Sequence, residues 1–145
     1  RPPLSTLFHY TPLSRAAVSD FVSSVVFQDK IKRTNEEVLL KLKPSVDILK
    51  ELGKRKKKQI LVGFSLETKD EIENSKRKLK EKNLDLIVVN NPNVPGAGFE
   101  VDTNQVSIID KRGKVEKLPL LSKKEVAEKV LDKVSELLKR DVKKK

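Results

Sequence analysis

"ILVGFSLETKDEIENSKRKLKEKNLDLIVVN", Ile60 to Asn90, is the stretch that sets the fold class. Ile60-Leu61-Val62-Gly63-Phe64 is a short apolar run, the pattern of a strand covered on both faces. Thr68 and Glu71 stand at capping-box spacing and predict a helix running to about Lys82, with Asn83 as its stop. Leu84 to Asn90 then reads as a second buried strand. Strand, helix, strand in that order predicts a parallel pair joined by a right-handed crossover.

The flanking sequence extends this unit in both directions. Upstream, Val38 to Leu42 reads as a strand stopped by Pro44. Ser45 then opens a helix through Val46, Ile48, Leu49 and Leu52, with Gly53 at the stop position. Downstream, Gln105 to Asp110 and Lys114 to Leu118 flank Lys111-Arg112-Gly113 as a hairpin. Ser122 and Glu125 form a second capping box, followed by an amphipathic stripe of Val126, Val130, Val134, Leu137 and Leu138. The layout predicts a mainly parallel sheet closed by an antiparallel pair and a last helix. Between Asn90 and Val106 lies a long polar loop; two of the chain's seven prolines and two of its five glycines sit between Pro92 and Gly98. Loops of this length are commonly functional or disordered.

Composition bounds the possible functions. At 145 residues the chain is long enough for one domain with a real core. It has no cysteine, which excludes disulfides and thiolate metal sites. No signal-peptide pattern opens it and no apolar run approaches the ~20 residues of a membrane helix. The expectation is a soluble, cytoplasmic domain with no membrane partner. A formal charge of +11 asks for an anionic partner, and its densest cluster is Lys54 to Lys58. That cluster is read either as a nucleic-acid-binding patch or as a solvated face. Aromatic residues for stacking on bases are scarce, which favours the solvated face. His9 and Tyr10 are single residues of their type, with no second ligand or base nearby. No nucleophile elbow, P-loop or dinucleotide-binding glycine fingerprint is present.

In open α/β sheets, ligands sit beyond the carboxyl ends of the parallel strands. Here that edge presents Asp20, Phe64 with Ser65, and Asn90 with the long loop. Lys78 and Lys82 are four apart and share a helix face, while Lys30 and Lys32 alternate onto one side of an extended segment. Four lysines and an aspartate near one rim would suit a polyphosphate with a divalent metal.

The segments "AAVSDF", "DKIKR", "VDILKELGKRK", "LVGFSLET", "KLKEKNLDLIVVNN", "GAGFEVDTNQVSIID" and "LPLLSKKEVAEKVLDKV" occur in this order. Together, over roughly Ala16 to Leu138, they resemble the CTP-using phosphopantothenate–cysteine ligases. The resemblance implies an α/β, Rossmann-like three-layer sandwich with a mainly parallel sheet and an antiparallel C-terminal hairpin. It implies an enzyme of coenzyme A biosynthesis that joins phosphopantothenate to cysteine through an acyl-cytidylate, using Mg²⁺ with CTP. The alternative expectation is a basic nucleic-acid-binding module.

The resemblance also assigns a nucleotide site. It places Ala16 and Asp20 against the nucleotide and Lys30 on CTP. Val46, Asp47, Ile48 and Leu49 fall on a further nucleotide segment, Phe64 lies beside the cytidine, and Lys78 and Lys82 complete the set. Val46 departs from the family's proline. A flap is implied around Arg33 to Glu37, and a homodimer with CTP, phosphopantothenate and cysteine as partners. Residues 1–15 are unmatched, and the family's glycine-rich phosphate cradle has no counterpart. Residues 16–139 are therefore expected to form the C-terminal two-thirds of such a ligase domain, incomplete for catalysis, and residues 140–145 a basic tail. FMN is expected only if a decarboxylase half belongs to the native protein. No catalytic residue or protein metal ligand is assigned.

Overall fold

The structure is a computed structural model and describes residues 19–26, 28–31, 38–98 and 100–142. It divides into two units, residues 1–47 and 48–145. In the first unit, β1 (Phe21–Ser23) and β2 (Leu42–Pro44) pair antiparallel, Phe21 opposite Pro44. Asp20 O accepts the Ser45 N–H at 2.9 Å, and Ser45 Oγ donates to Ser19 O at 2.6 Å, closing the ribbon at that end. The expected strand thus forms two to four residues later than read, and Pro44 is its last residue, not the residue that stops it. At an outer position a proline's missing N–H costs the ladder nothing.

The second unit holds α1 (Ile48–Arg55), β3 (Val62–Leu66), α2 (Glu71–Glu81), β4 (Leu86–Asn90), β5 (Thr103–Asn104), β6 (Val106–Asp110), β7 (Val115–Lys117), β8 (Leu121–Ser122) and α3 (Lys123–Val142). A four-stranded sheet runs in the order β3-β4-β6-β7, and β5 and β8 make a separate short ribbon. β3 and β4 pair in parallel, Val62 opposite Leu86, as the strand–helix–strand pattern requires. β4–β6 and β6–β7 are antiparallel, so the sheet is mixed, with its parallel character confined to the crossover. Gly113 makes the expected hairpin turn at φ 84°.

Three layers result, the α/β Rossmann-like sandwich. On one face Leu86, Val88, Val106 and Ile108 meet Val126 and Val130 of α3, with Val134 and Leu137 beside them. On the other face Ile87, Val89 and Ile109 meet Leu79 of α2, with Leu49 of α1 and Ile72 against them. β4 alternates its side chains between the two cores and is buried along both faces, which is why its sequence is continuously apolar. Leu86 through Val89 are each 2% exposed, and burial of this kind stabilises by about 1.5–3 kcal/mol per side chain.

β3 departs from its reading. Phe64 is 75% exposed and Leu66 is exposed, so this edge strand is covered on one face only. Gly53 departs as well: it lies inside α1, not at its end, and is buried. A Cβ there would come 2.0 Å from Lys82 O, and Asn83 Nδ2 donates to Gly53 O at 3.0 Å. The glycine marks a close approach of α1 to the carboxyl end of α2. Asn83 does stop α2, at φ 52°.

The two capping boxes divide. Ser122 Oγ accepts the Glu125 N–H at 3.2 Å while Glu125 Oε2 accepts the Ser122 N–H at 2.8 Å, the reciprocal arrangement expected. Thr68 and Glu71 make no such pair. Asp70 caps α2 in a left-handed conformation, φ 46°, with no side-chain cap bond. The helix therefore begins at Glu71, too late for Thr68 to reach it.

Candidate functional site

Alternation along β3 decides what its carboxyl end offers. Val62 packs toward α3, Gly63 faces Leu84 and Leu49 on the other side, Phe64 returns to the α3 face and Ser65 to the α2 face. Phe64 and Lys78 therefore sit on opposite faces of the sheet, and a ligand can touch both only around the strand's end.

On the α2 face, Ser65, Glu67 and Lys78 form a closed cluster. Lys78 Nζ lies 2.6 Å from Glu67 Oε1 and 3.2 Å from Ser65 Oγ, and Ser65 Oγ donates to the same Glu67 oxygen at 2.7 Å. Burial pushes the Glu67 carboxyl up, but the hydrogen bonds from Lys78 and Ser65 and the Lys78 charge outweigh it, leaving it below the usual 4.5. Glu67 is fixed from behind by its own N–H, which donates to Asn90 O at 3.0 Å. Next to it, Asn91 Nδ2 donates to Glu71 Oε1, tying the start of α2 to the end of β4.

On the α3 face, Phe64, Asn104, Lys123, Val126, Val130 and Leu131 line an apolar cavity of about 430 Å³. Asn104 Oδ1 and Asn90 Oδ1 are buried with no hydrogen-bond partner among the described residues, so two acceptors stand available near the long loop. The loop itself is built of turns. Ala97 N–H donates to Val94 O at 3.0 Å, Thr103 Oγ1 donates to Gly96 O at 2.5 Å, and Gly96 takes φ 77°. The chemistry offered is binding: an ammonium on one side of the rim, an aromatic ring and amide oxygens on the other.

The expected site residues are not all gathered. Phe64 and Lys78 reach the rim. Lys82 lies at the C-cap of α2, its carbonyl against Gly53, at the end of the helix away from Glu71. Ile48 is exposed at the start of α1, whereas Leu49 packs into the core against the Gly63 position, so its side chain is structural. Asp20, Lys30, Val46 and Asp47 belong to the first unit, where all four are exposed. Ala16, Lys32 and the flap residues Arg33 to Glu37 lie outside the described residues.

The basic cluster is not a uniform solvated face. Lys56 Nζ lies 2.6 Å from Asp85 Oδ2 with side chains only 12% and 9% exposed, and it donates to Asn83 O at 3.0 Å. Asp85 also accepts the Leu61 N–H at 2.9 Å. Lys56 thus locks the entry to β3, while Lys54 pairs with Glu51 on the surface. Glu67, Asn91 and Asp85 were missed by the sequence reading. Ser65 and Glu67 do stand at strand spacing on one face, a signal that could have found Glu67.

The fold is an α/β sandwich whose β3 edge ends in the Ser65–Glu67–Lys78 cluster. Residues 11–138 match the family described as the DNA/pantothenate metabolism flavoprotein C-terminal domain, and the chain belongs to that family. It is 50% identical over 124 residues to a cysteine/cysteine sulfinic acid decarboxylase of an unknown prokaryote, covering 85% of this chain and 34% of that one. It is 47% identical over 127 residues to the coenzyme A biosynthesis bifunctional protein CoaBC of Bacillus subtilis (strain 168), covering 88% and 31%. The chain thus spans about a third of the length of these curated relatives. A crystal structure of the C-terminal domain of a CoaBC protein aligns with TM-score 0.60 at 46% identity, covering 68% of this chain and 48% of that one. The DNA/pantothenate metabolism flavoprotein from Streptococcus pneumoniae aligns with TM-score 0.64 at 22% identity, over 83% and 60%, a likeness of fold.

These relationships correct the expected activity. The family is described as a flavoprotein domain and the 50% identical relative is named a decarboxylase; neither description carries a CTP-dependent ligase. Ligation, CTP and its Mg²⁺ are withdrawn with it, as is the nucleic-acid-binding alternative. Flavin association comes with the family description, and no described residue is assigned to the cofactor. α2 begins with Glu71, and α3 carries Glu125 in its first turn, bonded to Ser122, so each of these helix N-termini has a carboxylate of its own. No flavin-dependent step is assigned to them. No described helix is long and apolar enough to cross a membrane.

Proposed function

We propose that this chain is the C-terminal domain of a bifunctional enzyme of coenzyme A biosynthesis, and that the rim at the end of β3 binds an anionic, phosphorylated pantothenate derivative. The carrying observation is the 47% identity to the Bacillus subtilis CoaBC protein over 127 residues. Lys78 supplies the donor for an anion on one side of the rim, held by Glu67 and Ser65. Phe64 and the apolar cavity accept a non-polar body on the other. The test is calorimetric titration of the full-length protein with 4′-phosphopantothenate and 4′-phosphopantothenoylcysteine. Saturable binding that weakens in Lys78→Ala supports the reading, and absence of binding by both compounds rejects it.

The 50% identity to a cysteine/cysteine sulfinic acid decarboxylase favours a second reading, in which the full-length protein removes the carboxyl group of a cysteine-type substrate. Release of CO₂ from cysteine sulfinate, with no affinity for the phosphorylated compounds, would select it over the first.

A further inference from the structure

We propose that Glu67 is a positioning residue that aims the Lys78 ammonium at the anionic group of the substrate; this rests on the binding reading above. Lysine carries its charge on a flexible four-carbon stem, so a lysine without a fixed acceptor samples many directions. Here two of its three N–H bonds are committed, to Glu67 Oε1 at 2.6 Å and Ser65 Oγ at 3.2 Å. The Glu67 side chain is 12% exposed and Lys78 is 36% exposed, so the carboxylate lies inside and the ammonium on the open side. The acceptor is itself immobile. Its oxygen also takes the Ser65 hydroxyl, and its backbone N–H is bonded to Asn90 O across the β3–β4 pair. Among the described residues the Lys78 Nζ bonds go to Glu67 and Ser65, which leaves its third N–H for a ligand at the carboxyl end of the strand.

The Glu67 and Lys78 charges cancel, which makes the contribution directional. The cluster offers an oriented charge-assisted donor and little net attraction. Loss of Glu67 would raise the local positive charge while releasing the lysine. A carboxylate that merely competed with the ligand would give tighter binding on removal; one that positions the lysine gives weaker binding.

The experiment titrates 4′-phosphopantothenate into the full-length protein carrying Lys78→Ala, Glu67→Gln, Glu67→Asp or the double change Glu67→Gln with Lys78→Ala, each confirmed folded by circular dichroism. Lys78→Ala and Glu67→Gln should each weaken binding about tenfold, the scale of one charge-assisted hydrogen bond. The double variant should be no weaker than Lys78→Ala alone, and Glu67→Asp should return to within about threefold of wild type. Unchanged or tighter binding by Glu67→Gln, additive losses in the double variant, or an Asp variant as weak as the Gln variant overturns the positioning role. Absence of binding by the wild-type protein overturns the binding reading, whereas wild-type affinity in Lys78→Ala leaves binding intact and overturns the positioning role alone, so the two failures are distinguishable.

Discussion

The starts of α2 and α3 carry the same local signal and end up differently. Ser122 and Glu125 satisfy each other's backbone N–H groups within four residues of chain. Thr68 and Glu71 have the same spacing, yet Glu71 turns to Asn91, twenty residues on, and Asp70 adopts a left-handed cap. Glu71 and Glu67 both face the end of the β3–β4 pair, and the rim claims their carboxylates. α3 keeps its own cap although Lys123 lines the cavity on its face of the sheet; α2 is held from outside. α2 is held in this way at three points: Asn91 at its start, Glu67 through Lys78 in its third turn, and Gly53 with Asn83 at its end.

That contrast can be broken most forcefully at Gly53. Gly53→Ala should destabilise by at least about 2 kcal/mol in urea unfolding, because its Cβ would meet a backbone oxygen at 2.0 Å. The better helix propensity of alanine, about 1 kcal/mol, does not compensate. Asn91→Ala should cost about 1.5 kcal/mol, leaving the Glu71 carboxylate without its partner. Ser122→Ala should cost about 1 kcal/mol, an ordinary cap loss. Thr68→Ala should stay within about 0.5 kcal/mol of wild type, since Thr68 caps nothing. A Thr68→Ala cost equal to that of Ser122→Ala would erase the distinction between the two helix starts.

Acid sharpens the same comparison. The folded Glu67 carboxyl lies below its ordinary 4.5, so its contribution is complete above that value and is lost as pH falls through the lower folded one. Stability followed by thermal melts from pH 5 downward should fall less steeply in Glu67→Gln than in wild type. Equal slopes would mean that the Lys78 contact does not persist in solution.

Much of the fold was legible because periodicity and burial agree in its centre. β4 is apolar throughout because both of its faces are covered, and α3 shows its stripe because one face meets Val106 and Ile108. β3 misled because Phe64 is apolar and exposed; composition cannot distinguish a residue that faces a core from one that lines a cavity. Gly53 misled because glycine serves both helix termination and close packing, and only the position of Lys82 O separates them. Of the expected residues, Phe64 and Lys78 lie at the rim. Glu67 and Asn91 were not expected, because their partners lie eleven and twenty residues away and across a crossover.

The crossover also orders events in time. Ile109 and Val115, paired in the β6–β7 hairpin, are six residues apart in the chain; Val62 and Leu86, paired in β3–β4, are twenty-four apart. Two doublings of loop length add about 1.2 kcal/mol of closure entropy. Local hairpins close on the microsecond scale, whereas non-local parallel pairing is slower. During refolding the β6–β7 hairpin therefore has its contacts available first. The rim, where the Glu67 N–H meets Asn90 O only once β3 has found β4, is completed after the hairpin.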